Sequence, residues 1–284
     1  MATILLTSRI DKPEALELAK RILTSHELGG SVDKFVVDSS LKPYLKLLSE
    51  KIIYISIEEF PKISANLVVV IGGDGSILRL LHYFKDKNPP HIFSVNLGRY
   101  GFLSEISPKN AINLLRDIVE NRGTYEIVFK PRIIAYTETG QLPPVLNDYV
   151  VLAPRLKMVH LKLIKARTKE LVYNIYADGI IISPTAGSTG YSLSAGGPIV
   201  DEDLLAIITT PMNPMQLRAR PVIFDINEEL VLEIIDRDVE VFADGFLCYK
   251  IAEGETLRIK FWDKVGFYRK ERQYYNKLTR RDHV

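Results

Sequence analysis

Residues 66–76 read Asn-Leu-Val-Val-Val-Ile-Gly-Gly-Asp-Gly-Ser, an apolar run that stops at three glycines around one aspartate. A short run of aliphatic, mostly β-branched residues closed by glycine predicts a strand buried on both faces, and the amphipathic segment 77–81 predicts a helix. Glycines in such a loop let a ligand approach the backbone, and N–H groups at a helix start attract anions. The loop residues Gly72, Gly73, Gly75 and Ser76 therefore favour phosphate as their ligand.

Asp74 needs a separate argument, because a carboxylate beside a phosphate repels it unless a metal ion or a transferable proton lies between them. Such a carboxylate holds Mg²⁺ that bridges phosphate oxygens, or accepts the proton of an attacking hydroxyl, and both roles indicate phosphoryl transfer. The alternative is a tight turn whose aspartate only caps the helix. Neither G-x-x-x-x-G-K-[ST] nor a helix-opening G-x-G-x-x-G occurs, so standard P-loop and dinucleotide-binding patterns lose support.

The composition is that of an ordinary soluble globular protein. A chain of 284 residues predicts two domains, and a net charge of +2 makes no polybasic case for nucleic acid. The single cysteine, Cys248, excludes an intrachain disulfide, as expected in a reducing cytoplasm. The N-terminal apolar run is short and no run of about 18 apolar residues occurs, so we expect no signal peptide, no membrane helix and a cytoplasmic location. The five histidines are scattered without zinc-ligand spacing.

The first part of the chain, up to residue 123, alternates short apolar runs with helical patterns, which predicts an α/β domain. The predicted strands cover 3–6, 35–37, 52–57, 67–71 and 91–95, and the predicted helices start near Pro13, Lys42, Ser76 and Lys109. The last helix has Ser107 as its expected N-cap, Pro108 as its first residue and Gly123 at its end.

After Gly123 short β-branched runs replace the helical pattern and predict a mostly β, sandwich-like domain. The predicted strands cover 125–129, 133–137, 159–165, 171–177, 179–183, 230–235, 239–243 and 256–261. We therefore predict domains at residues 1–123 and 124–268. A charged C-terminal segment, 269–284, either packs back on the first domain or frays.

Two further clusters suggest a site. Residues 178–198 are rich in Gly, Ser and Thr, which offer hydroxyls and bare backbone donors to a polar ligand, and Tyr191 offers a flat face for a base or ribose. The alternative for this block is a flexible polar loop. Residues 96–103 read Asn-Leu-Gly-Arg-Tyr-Gly-Phe-Leu and follow the fifth predicted strand, where α/β sheets bind ligands. On its own, Phe102 is better explained as a core residue.

With these clusters the chain resembles the NAD kinase family, of the archaeal type. The family carries Gly-Gly-Asp-Gly-[Thr/Ser], Asn-Leu-Gly-x-x-Gly-Phe-Leu, Asn-[Glu/Asp] and a long Asp-Gly…Gly-Ser-Thr-x-Tyr…Gly-Gly block, here at 72–76, 96–103, 147–148 and 178–197. The resemblance implies a Rossmann-like α/β domain that binds the phosphate donor, followed by a β-rich, NAD-binding domain. It also implies Mg²⁺-dependent transfer of phosphate from ATP, or from polyphosphate, to the adenosine 2′-hydroxyl of NAD, and a homodimer or homotetramer.

The family's residue roles transfer by position. Asp74 matches the acid that takes the proton of the 2′-hydroxyl, Phe102 matches a residue near the NAD pocket, and Asn147 and Asp148 match the pair that binds adenosine and ribose hydroxyls. The other positions that the resemblance assigns to NAD are Asp178, Thr189, Gly190, Tyr191, Ser194 and Asp244.

The resemblance has one departure and leaves two alternatives. Pro184 stands one place before the family's proline, and Gly190 replaces its alanine, so a methyl is missing beside the pocket. A lipid or sphingoid-base kinase shares the glycine loop, but the long block ending at Gly197 argues against it. A non-catalytic dinucleotide sensor would not need Asp74.

Overall fold

The computed structural model describes residues 2–28, 30–86, 88–98, 101–270 and 274–275. The chain divides into two compact units, Met1–Phe129 with Val265–Val284, and Lys130–Lys264. No helix within the described ranges is long and apolar enough to cross a bilayer.

The first unit is built on a parallel sheet. Its elements are β1 (Ala2–Ser8), α1 (Pro13–Leu23), β2 (Val32–Asp38), α2 (Lys42–Leu45), β3 (Ile52–Ile55), β4 (Leu67–Gly72), α3 (Asp74–Tyr83), β5 (His91–Asn96) and α4 (Ala111–Val119). The strand order is β3-β2-β1-β4-β5, and these neighbours pair in parallel. All six residues of β4 are buried, as a strand covered on both faces requires.

The register of this sheet brings three loops to one edge. Ser8 of β1 pairs with Ile71 of β4, and Gly72 pairs with Asn96 of β5. Since the strands are parallel, the loops that follow β1, β4 and β5 all leave the sheet at its carboxyl edge.

The second unit is antiparallel. After β6 (Glu126–Tyr136), which begins in the first unit, its elements are β7 (Tyr149–Leu152), β8 (Val159–Lys165), β9 (Leu171–Ala177), β10 (Gly179–Pro184), α5 (Tyr191–Ser194), β11 (Ala206–Met212), β12 (Val222–Asp225), β13 (Leu230–Ile234), β14 (Val239–Ala243), β15 (Leu247–Ile251) and β16 (Thr256–Arg269), whose last five residues belong to the first unit. One sheet has the order β12-β11-β10-β7-β14-β15, and the other contains β16-β13-β8-β9. Both sheets contribute to one apolar core, so the prediction of an α/β domain followed by a β-sandwich is confirmed.

Several local predictions were wrong. The helix α4 begins at Ala111, because Ser107 and Pro108 form a tight turn in which the Ser107 carbonyl accepts the N–H of Asn110 at 3.1 Å. The helix ends at Val119, four residues before Gly123. The predicted strand 52–57 ends at Ile55, where a 3₁₀ turn, Ile57–Lys62, follows.

Two predicted strands, 125–129 and 133–137, form one strand, β6. The charged Lys130 and Arg132 interrupt the apolar pattern there, yet both are buried in ion pairs with Glu202 and Asp263 respectively. Strands β7, β11 and β12 were not predicted. Of these, β7 and β12 have only four residues each, and β11 contains a proline.

Candidate active site

Asp74 is the first residue of α3, but its carboxylate is held by a neighbouring loop. Its Oδ2 accepts a hydrogen bond from the backbone N–H of Phe102 at 2.9 Å. Its Oδ1 accepts hydrogen bonds from the backbone N–H groups of Leu103 at 3.2 Å and Ser104 at 3.0 Å. A carboxylate has about four lone-pair sites, so roughly one site stays open to a further donor or a cation. The alternative in which Asp74 only caps α3 is not what the structure shows.

The loop that holds Asp74 packs against it because Gly101 has no side chain. A Cβ at Gly101 would lie 2.8 Å from the Ser104 carbonyl oxygen and 3.1 Å from Asp74 Oδ1. Gly73 and Gly75 differ from it, since a Cβ at either position would meet nothing within 4 Å. The backbone at these two glycines is therefore open to a ligand, as a phosphate-binding loop requires.

The second unit has a pocket of about 330 Å³ on the outer face of its six-stranded sheet. Val150 of β7 pairs with Phe242 of β14, so the two side chains share this face and form an apolar floor with Leu152. Tyr191, which is 45% exposed, lies at the wall of the pocket. A small apolar pocket with an aromatic ring at its wall suits a planar base.

The polar end of this pocket is organised by Asp244. Its Oδ1 accepts hydrogen bonds from the N–H groups of Asn147 at 2.7 Å and Asp148 at 3.0 Å, and its Oδ2 accepts one from Leu146 at 3.0 Å. Asp244 has a left-handed backbone with φ of 49°, and the following Gly245 has φ of 72°. Asp244 therefore fixes the segment 146–148 in the way that Asp74 is fixed by 102–104.

The two carboxyl groups at this end are perturbed. Burial, together with the nearby charge of Asp244, raises the pKa of Asp148 to about 7. Burial also raises the pKa of Asp244 to about 6, although its three backbone donors act in the opposite direction. Near neutral pH the pair therefore carries less than its full charge of two.

The glycine-rich block packs on Asn147. A Cβ at Gly187 would lie 1.7 Å from the backbone oxygen of Asn147, and a Cβ at Gly190 would lie 2.7 Å from its side-chain Nδ2. Thr189 is buried behind this contact, and Tyr191 starts α5 directly after it. The block is thus shaped by close backbone approach, and the alternative of a slack polar loop does not hold.

Two predicted NAD-binding residues, Asp178 and Ser194, are not among those that line this pocket, and a third, Phe102, belongs to the first unit. Asp178 directly precedes Gly179, which pairs with Leu152 of the floor, so Asp178 lies beside that end of the pocket and away from the polar end at Asp148. Ser194 is exposed at the far end of α5. Phe102 is buried with its ring edge-to-face on Tyr274, at 6.0 Å between centroids. Two residues of its motif, Arg99 and Tyr100, lie outside the described residues.

The apolar floor of the pocket was missed by the sequence analysis. Val150 and Leu152 belong to the unpredicted strand β7, and Phe242 belongs to a predicted strand whose two faces the sequence did not tell apart. The one available signal was the apolar run Tyr149–Leu152 after Asn147-Asp148, and four apolar residues do not show which side chains share a face.

A divalent cation fits this donor set in one way. Among the described residues no three His, Cys, Asp or Glu side chains are grouped to hold a metal ion. Asp74 offers an oxygen site, and Mg²⁺ is commonly held by one or two carboxylates together with phosphate oxygens and water. The residues present therefore suit a cation that binds with a nucleotide.

The fold and the site together define a class of protein. A sheet of order 3-2-1-4-5 with an aspartate in the glycine loop after β4, followed by a β-sandwich with a small apolar pocket, fits a nucleotide-dependent phosphotransferase. Residues 4–123 match the model of the ATP-NAD kinase N-terminal domain, and residues 146–263 match that of the ATP-NAD kinase C-terminal domain.

Full-length relatives agree with these matches. The chain is 33% identical to the NAD kinase of Methanothermobacter thermautotrophicus, over 98% of this chain and 95% of that protein. It is 34% identical to the NAD kinase of Thermococcus kodakarensis, over 96% of this chain and 95% of that protein. The chain therefore belongs to the NAD kinase family, and the predicted enzyme class is confirmed; the lipid kinase and the sensor find no support.

Two solved structures share the fold. Yeast NADH kinase complexed with NADH superposes with a TM-score of 0.88 at 21% identity, covering 98% of this chain and 86% of that one. An NAD kinase from Archaeoglobus fulgidus in complex with ATP superposes with a TM-score of 0.76 at 24% identity, covering 100% of both chains.

Proposed function

We propose that this enzyme transfers the γ-phosphate of ATP to the 2′-hydroxyl of the adenosine ribose of NAD, giving NADP and ADP. The observation that carries this proposal is the Asp74 carboxylate, held by three backbone N–H groups, with an oxygen site left open beside two open glycines. ATP in the Archaeoglobus relative and NADH in the yeast relative support the two substrates.

In this proposal Asp74 orients and deprotonates the hydroxyl. The 2′-oxygen attacks the γ-phosphorus and forms a new O–P bond, while the bond to the β–γ bridging oxygen breaks and ADP leaves. The hydroxyl proton passes to Asp74 and then to solvent. Phosphoryl transfer depends mainly on positioning and charge stabilisation, so the three fixed hydrogen bonds matter because they hold the carboxylate in one orientation.

In this proposal the phosphate donor, ATP, binds to residues 1–123. Gly72, Gly73, Gly75 and Ser76 face the phosphates, with Gly73 and Gly75 giving the closest backbone approach. Mg²⁺, when bound with the nucleotide, would neutralise charge on the phosphate oxygens and would be held mainly by those oxygens and by water.

In this proposal NAD binds to residues 124–268. The base lies on the floor of Val150 and Phe242 against Tyr191, while Asn147 and Asp148 bind the ribose hydroxyls. Asn147 and Asp148 are supported in turn by Thr189, Gly190 and Asp244. A carboxyl group with a pKa near 7 both donates and accepts hydrogen bonds at neutral pH, which suits Asp148 to vicinal hydroxyls.

We also propose a cytoplasmic homo-oligomer. Ile223, on the edge strand β12, is 49% exposed, and nearby Leu204 is 56% exposed, which favours a covered surface. Light scattering tests the oligomer.

The reaction is tested by incubating the purified chain with Mg²⁺, ATP and NAD and measuring NADP with an NADP-specific dehydrogenase. NADP formation from ATP supports the proposal. Formation from polyphosphate alone would change the donor, and no NADP with either donor would overturn the proposed activity.

A further inference from the structure

Arg9 lies beside the glycine loop although it belongs to none of the four sequence motifs. It directly follows β1, and its backbone N–H donates a hydrogen bond to the Ile71 carbonyl at 3.0 Å. A Cβ at Gly72 would lie 3.3 Å from Arg9 Cγ. The stem of the Arg9 side chain therefore crosses the start of the loop that we assign to the donor phosphates.

The guanidinium of Arg9 is occupied by a carboxylate two residues away. Its Nε donates to Asp11 Oδ1 at 2.8 Å, and its terminal nitrogen contacts Asp11 Oδ2, which makes a two-pronged pair. The side chains are 41% and 59% exposed, and ion pairs in this setting contribute little stability because water screens them. The hydrogen bond from Arg9 lowers the pKa of Asp11 to about 2, so the pair persists at neutral pH.

The donor site needs a cation that its loop does not supply. Residues 72–76 contain no lysine or arginine and contain one carboxylate, Asp74, whereas a triphosphate carries several negative charges. A guanidinium binds phosphate oxygens with the same two-pronged geometry that it uses for a carboxylate. Asp11 therefore engages the guanidinium in the way that a phosphate group would.

We propose that Arg9 is a donor-binding residue, and that its guanidinium leaves Asp11 to take two oxygens of the bound triphosphate. In the free enzyme Asp11 holds the guanidinium beside the loop, which keeps the long side chain ordered until the donor arrives. This inference rests on the proposed function, because it assumes that the donor phosphates occupy the loop 72–76.

Steady-state kinetics on the full chain test this inference. Arg9→Ala is expected to raise the KM for ATP about tenfold, which corresponds to about 1.4 kcal/mol, with the KM for NAD within about twofold. Arg9→Lys keeps the positive charge but loses the two-pronged geometry. Its KM for ATP should therefore lie between those of the wild type and Arg9→Ala. Asp11→Ala should leave the KM for ATP unchanged or lower it.

A matched control is available in the same unit. Arg116 forms an exposed pair with Glu27 at 2.8 Å, and neither residue adjoins the loop 72–76 in sequence or in pairing. Arg116→Ala removes an ion pair of the same kind and should leave both KM values unchanged. Melting temperatures of all variants show whether each one folds.

The outcomes separate this inference from the proposed activity. An unchanged KM for ATP in Arg9→Ala, or equal rises in Arg9→Ala and Asp11→Ala, would overturn it, since the pair would then be structural. If the wild type makes no NADP, calorimetric binding of tripolyphosphate replaces the kinetics: weaker binding by Arg9→Ala supports the inference, and equal or absent binding overturns it.

Discussion

Replacing Asp74 by asparagine separates the chemical role of this residue from its structural one. The amide oxygen can keep the donors at Leu103 and Ser104, but the amide NH₂ would face the N–H of Phe102 and lose that bond. One lost hydrogen bond to a charged group costs about 2 kcal/mol, with a melting temperature lowered by roughly 4–8 °C. Loss of the general base should lower kcat by about 10²–10⁴-fold.

The assay for this variant combines kinetics with binding. NADP formation gives kcat, and the affinity for NAD should stay within about tenfold, roughly 1.4 kcal/mol. Asp38→Asn is the matched control, because Asp38 is buried in the same sheet and accepts bonds from Ser40 at 3.0 Å and Thr7 at 3.1 Å. Asp38→Asn should lose about as much stability as Asp74→Asn, but its kcat should stay close to that of the wild type.

Two results would refute this reasoning. A kcat for Asp74→Asn within about tenfold of the wild type would exclude a base at this position. Parallel loss of kcat and NAD affinity, matched by Asp38→Asn, would show that Asp74 only shapes the site.

Three further predictions concern the second unit. Asp148→Asn should raise the free energy of unfolding at pH 8 by about 1–3 kcal/mol and change it little at pH 4. The reason is that the pKa of Asp148 in the folded protein is about 7, above the ordinary 3.8. The wild type therefore loses stability as the pH rises from 3.8 to about 7. Urea unfolding at pH 8 and at pH 4 measures the two free energies. Gly187→Ala places a methyl 1.7 Å from the backbone oxygen of Asn147, which cannot give way, so it should lower stability by about 1–3 kcal/mol and weaken NAD binding, as calorimetry would show. Asp244→Asn should raise the KM for NAD about tenfold by loosening the segment 146–148, while the KM for ATP stays unchanged.

Each of these predictions has a result that contradicts it. Equal effects of Asp148→Asn at both pH values would show that its carboxyl group is not perturbed. Wild-type stability and NAD binding in Gly187→Ala would mean that the close approach is not required. A rise in both KM values for Asp244→Asn would indicate a general loss of structure.

Much of the fold was readable from sequence because it depends on local spacing. The run 67–71 ends at glycine and predicts a buried strand, and β4 covers Leu67–Gly72. The sequence did not predict β6 as one strand, because a charged residue such as Arg132 is expected at the surface. Its burial depends on the ion pair with Asp263, which lies 131 positions away. Burial of a charge depends on its partner, and sequence does not show the partner.

The candidate site divides in the same way. The residue types of the glycine loop predicted a role for Asp74, and the resemblance to the NAD kinase family implied the roles of Asn147 and Asp148. Which groups hold them was decided by tertiary structure: the bonds from 102–104 to Asp74 span 28 to 30 residues, and those from 146–148 to Asp244 span 96 to 98. Likewise, the contact between Arg9 and the glycine loop arises only because β1 and β4 are neighbours in the sheet. Local sequence sets residue chemistry and strand periodicity, whereas strand order and register set which distant groups come within hydrogen-bonding distance.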